Sequence, residues 1–472
     1  MQTIPSPTGE TGYNQKHFSY NRRYVLTMSL IAAMGGLMFG FDLGVITGVI
    51  PFIQQQFHLE GFSLGWVVAI FEVGCMGGTF MTAWLSDRLG RKKMLIFTAA
   101  SFLVTTVGAT FSGGPVALAA WRFAQGLGVG AASVLSPMYI AEIAPAPMRG
   151  KLVSTNQLSI VTGVLLAIVV SYYVGDPGNM ESWRWMFGAA LVPALVFFAA
   201  LFAIPESPRW LVKARFHQQA ETVLKKIGND RFAEQELQEI HRSLQAGSQQ
   251  GTYAELFGSA VLPILLTGFG LAVLQQFSGA NNVTAYMQVI FAKANISIKD
   301  GLLNAVFVGL VLFIMTILAV GLVDKMGRRK LMLIGTSCMA VLLFLLAWSF
   351  NSTAVNGTLV FAFVMAYIAV YAFTLAPVTW VLLSEIFPNH IRSKALSLAS
   401  FVLWLATFLV VFISPYLLRL SPVINFILFG ICNIIGFVFV LRYVPETKGK
   451  TLEELETMLA REKSRDRPAS GA

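Results

Sequence analysis

Charge is scarce in this sequence: only 12% of its 472 residues are Asp, Glu, Lys or Arg, about half the share in ordinary soluble domains. A soluble chain of this length needs a polar surface that such a composition does not supply. A chain embedded in lipid does not need one. Cysteine is rarer still. Cys75, Cys338 and Cys432 each stand alone in an apolar run, with no C-x-x-C spacing and no neighbouring histidine. That excludes a disulfide framework or a metal cluster and leaves small side chains packed between helices. All five histidines fall outside the long apolar runs, and no G-x-S-x-G, H-E-x-x-H or G-x-x-x-x-G-K-[ST] occurs. Enzymes built on those motifs and nucleotide-driven pumps therefore lose support, and neither a metal nor another cofactor is expected. A cleavable signal peptide is missing as well. The first apolar run begins near Tyr24, is too long for an h-region and lacks a small-residue cleavage pattern.

What is abundant is apolar surface. Hydrophobic residues make up 56% of the chain, with 37 phenylalanines and 41 glycines. Glycine is useful where membrane helices pack closely. A spanning helix needs roughly 20 apolar residues, and twelve such runs can be marked. They lie at 24–51, 64–86, 94–112, 116–139, 152–174 and 184–204, then 258–292, 301–323, 331–350, 357–384, 395–418 and 422–444. The expected fold is an all-α membrane protein. Its parts are a tail at 1–23, a six-helix half at 24–204, a linker at 205–257, a second half at 258–444 and a final helix and tail at 445–472. In the linker, Val223, Leu224 and Ile227, then Leu237, Ile240 and Leu244, recur at helical spacing. They predict short amphipathic helices lying on one membrane face. Thr451, Leu452, Glu453 and Glu454 fit a capping box that starts the final helix.

A net charge of +10 could point to nucleic acid or to an anionic surface. Its distribution points to topology instead. With the N-terminus inside, 29 of the 34 basic residues fall in cytoplasmic segments. Arg122 lies within a span, and only Arg184, Lys293, Lys299 and Arg419 fall outside. Basic loops stay cytoplasmic, so both termini are expected inside a cell membrane and no nucleic-acid partner is implied.

The chain also repeats itself. Asp87-Arg88-Leu89-Gly90-Arg91-Lys92-Lys93 returns as Asp324-Lys325-Met326-Gly327-Arg328-Arg329-Lys330. Glu142-Ile143-Ala144-Pro145 with Arg149 returns as Glu385-Ile386-Phe387-Pro388 with Arg392, and Pro205-Glu206-Ser207 as Pro445-Glu446-Thr447. Two like-oriented six-helix halves follow, the parallel-repeat plan of a large transporter class.

Taken together these motifs resemble the sugar porter family of the major facilitator superfamily, over about residues 22–460. Carrying the resemblance are the two repeated basic loops, Arg122 with Gly126 and Gly130, and Pro205-Glu206-Ser207-Pro208-Arg209-Trp210. The second half adds Gln275-Gln276-Phe277-Ser278-Gly279-Ala280-Asn281, Pro377-Val378-Thr379-Trp380 and Pro445-Glu446-Thr447-Lys448-Gly449. Within that family the motifs resemble those of bacterial pentose and hexose symporters. The resemblance implies import of a monosaccharide with a proton by alternating access, through a bilayer-embedded chain expected to act as a monomer. A facilitative carrier of the same fold is the alternative. A transporter-like sugar sensor is less favoured, since only about 27 residues follow Pro445.

A sugar presents hydroxyls around a ring with apolar faces, so neutral amides and an aromatic platform suit it at the midplane. The resemblance implies that Gln157, Gln275, Gln276, Asn281 and Trp380 bind it. A lone amide in a span more often just joins helices, but three clustered in one pattern argue for binding. Gln276 and Asn281 are offset by about 140° on a regular helix, and the glycine between them is expected to loosen it. The sequence departs from the family pattern at Leu312, Leu403 and Ala285, where relatives carry amides or a tyrosine; only Tyr286 remains of a tyrosine pair.

The resemblance places Asp42 of the first span beside Arg122 of the fourth and implies that they couple proton binding to transport; an ionisable residue in a span is expensive and so is usually paired or functional. A static pair that only joins two helices is the plainer reading. Glu72, an acid that relatives lack, is expected near the outer water without a role. Asp87, Arg91, Glu142, Arg149, Glu206 and Arg209, with Asp324, Arg328, Glu385, Arg392 and Glu446, are expected to form a cytoplasmic charge network tying the halves together while the outside is open.

Overall fold

The computed structural model describes residues 18–246, 253–258, 261–352, 354–387 and 391–448; the capping box at Thr451 and the side chain of Asp324 lie outside the described part. Inside a bilayer no water is available to the backbone, so an apolar run must satisfy its own N–H and C=O groups, and a helix does so within one segment. Twelve helices are long and apolar enough to cross a membrane. The first six are Arg22–Gln56, Phe62–Leu89, Arg91–Thr110, Pro115–Ile143, Ala146–Val174 and Ser182–Ala200. The second six are Leu262–Ala285, Ile298–Val323, Arg328–Asn351, Gly357–Leu383, Lys394–Leu420 and Pro422–Tyr443. Each falls on a run marked in the sequence. They form two six-helix halves, and the described residues contain no strand.

Within the first half, the second and fourth spans lie in backbone contact. A Cβ on Gly126 would sit 2.1 Å from the carbonyl oxygen of Phe71, and one on Gly130 equally near that of Cys75. Small residues permit this approach, which is the packing reason for two glycines of the quoted motif. Three of the spans are not continuous. The sixth is interrupted between Ser182–Gly188 and Leu191–Ala200. The seventh runs as Leu262–Phe277, Ala280–Ala285 and Met287–Lys293. The tenth breaks at Thr374, between Gly357–Phe373 and Leu375–Ile386.

Between the halves, the described residues of the linker form the helices Pro208–Lys213, His217–Ile227, Asp230–Ala246 and the short Tyr253–Leu256. Most of their apolar residues are turned into protein. Val223, Leu224, Ile227 and Ile240 are buried. Phe232 packs edge-on against Tyr20 and Phe18, at 5.3 and 6.0 Å between ring centres. The linker thus clamps the segment that leads into the first span.

Candidate functional site

A cavity of about 300 Å³ lies between the two halves, and Gln157, Gln275, Gln276, Asn281 and Trp380 all line it. Gly279 explains how two of them meet. Its φ of +95° lies in the left-handed region, which glycine enters without a Cβ penalty. The turn there ends one helical segment and starts another, so the offset of a regular helix no longer applies. Asn281 Nδ2 donates to Gln276 Oε1 at 2.5 Å. The other contacts of the pair are long: Gln276 Nε2 to Gln275 Oε1 at 3.5 Å, and Gln275 Nε2 to the Ala376 carbonyl at 3.5 Å. Donor capacity therefore remains for a ligand. Trp380 is 43% exposed, with its ring available as an apolar platform.

Several lining residues were not anticipated. Beside Leu312, Leu403 and Ala285, the three departures from the family pattern, which all line the cavity, Thr316 and Thr407 line it one turn beyond the two leucines. Each threonine hydroxyl donates to the leucine carbonyl four residues back, at 2.8 Å. Its lone pairs stay open to a hydroxylated ligand. A single spacing of four beside a substituted position was the only signal available. Tyr286 behaves differently from a cavity residue. It is fully buried, and its hydroxyl donates to the Val411 carbonyl at 2.7 Å, joining the seventh and eleventh spans.

Asp42 and Arg122 are paired. Arg122 Nη1 lies 2.8 Å from both carboxylate oxygens and 3.2 Å from Gln125 Oε1. The guanidinium also stacks on Phe71 at 4.3 Å. Both side chains are almost wholly buried, at 3% and 2% exposure. Glu72 corrects the expectation of a solvated acid. It is buried, it lines the cavity, and it feels the charges of Arg122 and Asp42. A two-dimensional reading of the second span could not show which neighbour covers it.

The repeated motifs build one latch in each half. In the first, Glu206 accepts from the backbone N–H groups of Arg91 and Lys92 at 2.8 and 3.1 Å, and so caps the third span. In the second, Glu446 accepts from those of Arg328 and Arg329 at 2.9 and 3.2 Å. A carboxylate at a helix N-terminus satisfies orphan donors and meets the positive end of the dipole. Burial pushes the Glu206 carboxyl above its usual range, against the pull of those donors. Arg91 then pairs with Glu142 at 3.0 Å and Asp87 at 3.1 Å, and Arg328 with Glu385 at 3.0 Å. Ser207 donates to Glu142, and Thr447 to Glu385 at 2.5 Å. Among the described residues these ion pairs stay within their own half, so in this state the charges brace each half and do not tie the two together. Arg149 stands exposed near Glu236, Arg209 is exposed, and Arg392 Nε donates to the Phe387 carbonyl at 3.2 Å.

The halves close on one another at the end opposite the basic motifs. Arg419 pairs with Glu60 at 3.1 Å, Tyr416 stacks on Phe62 at 4.4 Å, and Thr47 donates to the Thr284 carbonyl at 3.0 Å. The cavity is thus sealed from that side.

A bundle of two like halves, each braced by the same latch around a central cavity with amides set in a largely apolar wall, defines a secondary transporter of the major facilitator fold. The chain belongs to the Sugar (and other) transporter family, whose model matches residues 28–459, and it is a transporter and not an enzyme. It is 38% identical to the D-xylose-proton symporter of Escherichia coli, over 93% of this chain and 96% of that one. It is 35% identical to the arabinose-proton symporter of Bacillus subtilis, with the same coverage. The inward open structure of the E. coli xylose transporter superposes with a TM-score of 0.82, at 37% identity over 92% of this chain and 100% of that one. The structure of that symporter bound to 6-bromo-6-deoxy-D-glucose gives 0.77, at 37% identity over 93% and 100%. The higher score agrees with a cavity closed at the end away from the basic motifs. The chain is accordingly a multi-pass protein of the plasma membrane.

Proposed function

We propose that this protein imports a monosaccharide, a pentose or a hexose, together with a proton by alternating access. The observation that carries this reading is a buried Asp42–Arg122 pair beside a cavity lined by neutral amides and an indole. The amides supply hydroxyl partners without charge. The carboxylate can bind a proton and release Arg122, which changes the relative energies of the two conformations. The names of the relatives above support the same class of cargo. Uptake of labelled pentoses and hexoses by proteoliposomes, with and without a pH gradient, tests the reading. A wild-type protein indifferent to the gradient would favour the facilitative alternative.

Gln157, Gln275, Gln276, Asn281 and Trp380 are the sugar contacts in this proposal. Removing one amide leaves a sugar hydroxyl without its partner and costs about 1–3 kcal/mol, about 5- to 150-fold in affinity. Gln276→Ala is expected to weaken sugar binding to that extent by calorimetry. An unchanged dissociation constant would remove Gln276 from the site.

The basic end is assigned to the cytoplasm, with both termini there, because Lys and Arg are retained on that side. Reporter fusions after residue 230 and after residue 472 are both expected to score cytoplasmic, and an external score at either defeats the topology. The +10 charge then serves orientation and needs no nucleic acid. The amides and the indole of the cavity all come from one chain, which is compatible with the protein acting as a monomer. The latches keep each half rigid, which lets the halves rock as bodies about the fixed site. In the outward-open state their basic and acidic groups face one another across the closed cytoplasmic end. Each exposed pair is worth only about 0–1 kcal/mol, but several bias an equilibrium whose states differ by a few kcal/mol.

A further inference from the structure

A second buried carboxylate faces the sugar cavity, and nothing in the scheme above uses it. Glu72 is 4% exposed, and its Oε2 has no hydrogen-bond partner among the protein atoms. Arg122 Nε is in the same condition, because the guanidinium uses Nη1 for Asp42 and Gln125. Phe71, next to Glu72 in sequence, stacks on that guanidinium. An orphaned carboxylate oxygen and an orphaned guanidinium N–H therefore share one buried site. The ionisable groups that act on Glu72 or feel it are Asp42, Arg122, Cys75 and Tyr286. A carboxylate without a partner inside a span is expensive, so its place calls for a function.

Placement supplies that function. The first span turns Phe39, Leu43, Ile46 and Thr47 to the cavity. Asp42 lies beside this stripe and points to the fourth span, so the cavity wall includes Arg122 and Glu72 but not Asp42. A proton held on Asp42 has no direct contact with cavity water in this state. Glu72 reaches both.

We propose that Glu72 relays the proton between Asp42 and the water of the central cavity, an inference that rests on the symport reading. The O–H bond on Asp42 breaks as one forms on ionised Glu72, directly or through one water. Asp42, now a carboxylate, regains Arg122. Protonated Glu72 then gives the proton to water on the cytoplasmic side and is ionised again. Arg122 acts on both acids, so one proton crosses per cycle, and after its release the single guanidinium is shared by two carboxylates until the next proton arrives.

The test compares wild type, Glu72→Gln and Glu72→Asp in proteoliposomes, reading sugar counterflow and proton-driven uptake together. Counterflow needs no net proton movement and is expected to survive in Glu72→Gln. Proton-driven uptake is expected to slow about tenfold or more. Glu72→Asp is expected to keep proton-driven uptake with a displaced pH profile. Wild-type uptake rates in Glu72→Gln overturn the relay, as does loss of counterflow in a Glu72→Gln protein that remains monodisperse, since that marks a sugar contact. If Glu72→Gln aggregates, the Glu72→Asp pH profile decides, and an unshifted profile overturns the proposal. A wild-type protein that ignores the proton gradient removes the symport reading itself, and that outcome is visible before any variant is compared.

Discussion

Asp42→Asn is expected to abolish proton-driven accumulation of sugar while leaving exchange intact. Asparagine keeps the size of the side chain and one oxygen for Arg122, but it can neither hold a charge nor carry a proton. The variant therefore mimics the protonated state permanently. In that state the loaded carrier still reorients, so counterflow and downhill flux persist. What is lost is the penalty on reorienting without a proton, and with it the link between the two gradients. One pH unit supplies about 1.4 kcal/mol, enough for about tenfold accumulation in wild type at one proton per sugar. In Asp42→Asn the internal and external concentrations are expected to become equal. The measurement is steady-state sugar in liposomes under an imposed pH gradient, beside counterflow in the same preparation. Accumulation above equality in the variant would place coupling elsewhere, with Glu72 the first candidate.

The second large effect concerns closure of the cavity at the end away from the basic motifs. Gly65 on the second span meets the eleventh span backbone to backbone: a Cβ there would lie 2.2 Å from the carbonyl oxygen of Phe412. The obstacle is main chain, so no rotamer change relieves it. Leucine at this position must push the halves apart and disfavours the closed state by about 3 kcal/mol, which is about 100-fold in population. Gly65→Leu is therefore expected to bind sugar with near wild-type affinity and to transport it about 100-fold more slowly. Gly126→Leu makes an equally close backbone contact, but within one half. There the strain has no domain movement to relieve it, and loss of the folded protein is expected. Thermal unfolding of both variants, with binding and uptake of Gly65→Leu, checks the contrast. A Gly65→Leu protein that transports normally would show that the two spans do not approach so closely during the cycle.

The latches show how far a sequence motif reaches. The repeats announced two equivalent halves and named the charged residues, and the structure pairs Arg91 with Glu142 and Arg328 with Glu385. The motif could not say that each partner belongs to the same half. Opposite charges on loops of one membrane face can pair in several ways, and the choice depends on which halves are apart. The same limit applies to Tyr286, which occupies a familiar position yet spends its hydroxyl on Val411.

By itself the sequence determined the number of spans, the two-half plan, the basic end, the acid–base pair in the membrane and the set of amides. The spans and the basic end follow from local physics, the apolar run needed to cross a bilayer and the exclusion of Lys and Arg from one side; the two halves follow from the repeats, and the acid–base pair and the amides from the family motifs, with the expense of an ion in lipid as support. Only the tertiary structure decided that Gly279 turns Asn281 onto Gln276 and that Leu312 and Leu403 stand in the cavity with a threonine one turn away. It also decided that Glu72 shares a site with Arg122 while Asp42 is hidden from the cavity. These depend on the rotation of each span about its axis, on where a helix breaks and on which half is tilted. An apolar span surrounded by lipid and other apolar helices carries little record of any of the three, because most of its faces are chemically alike.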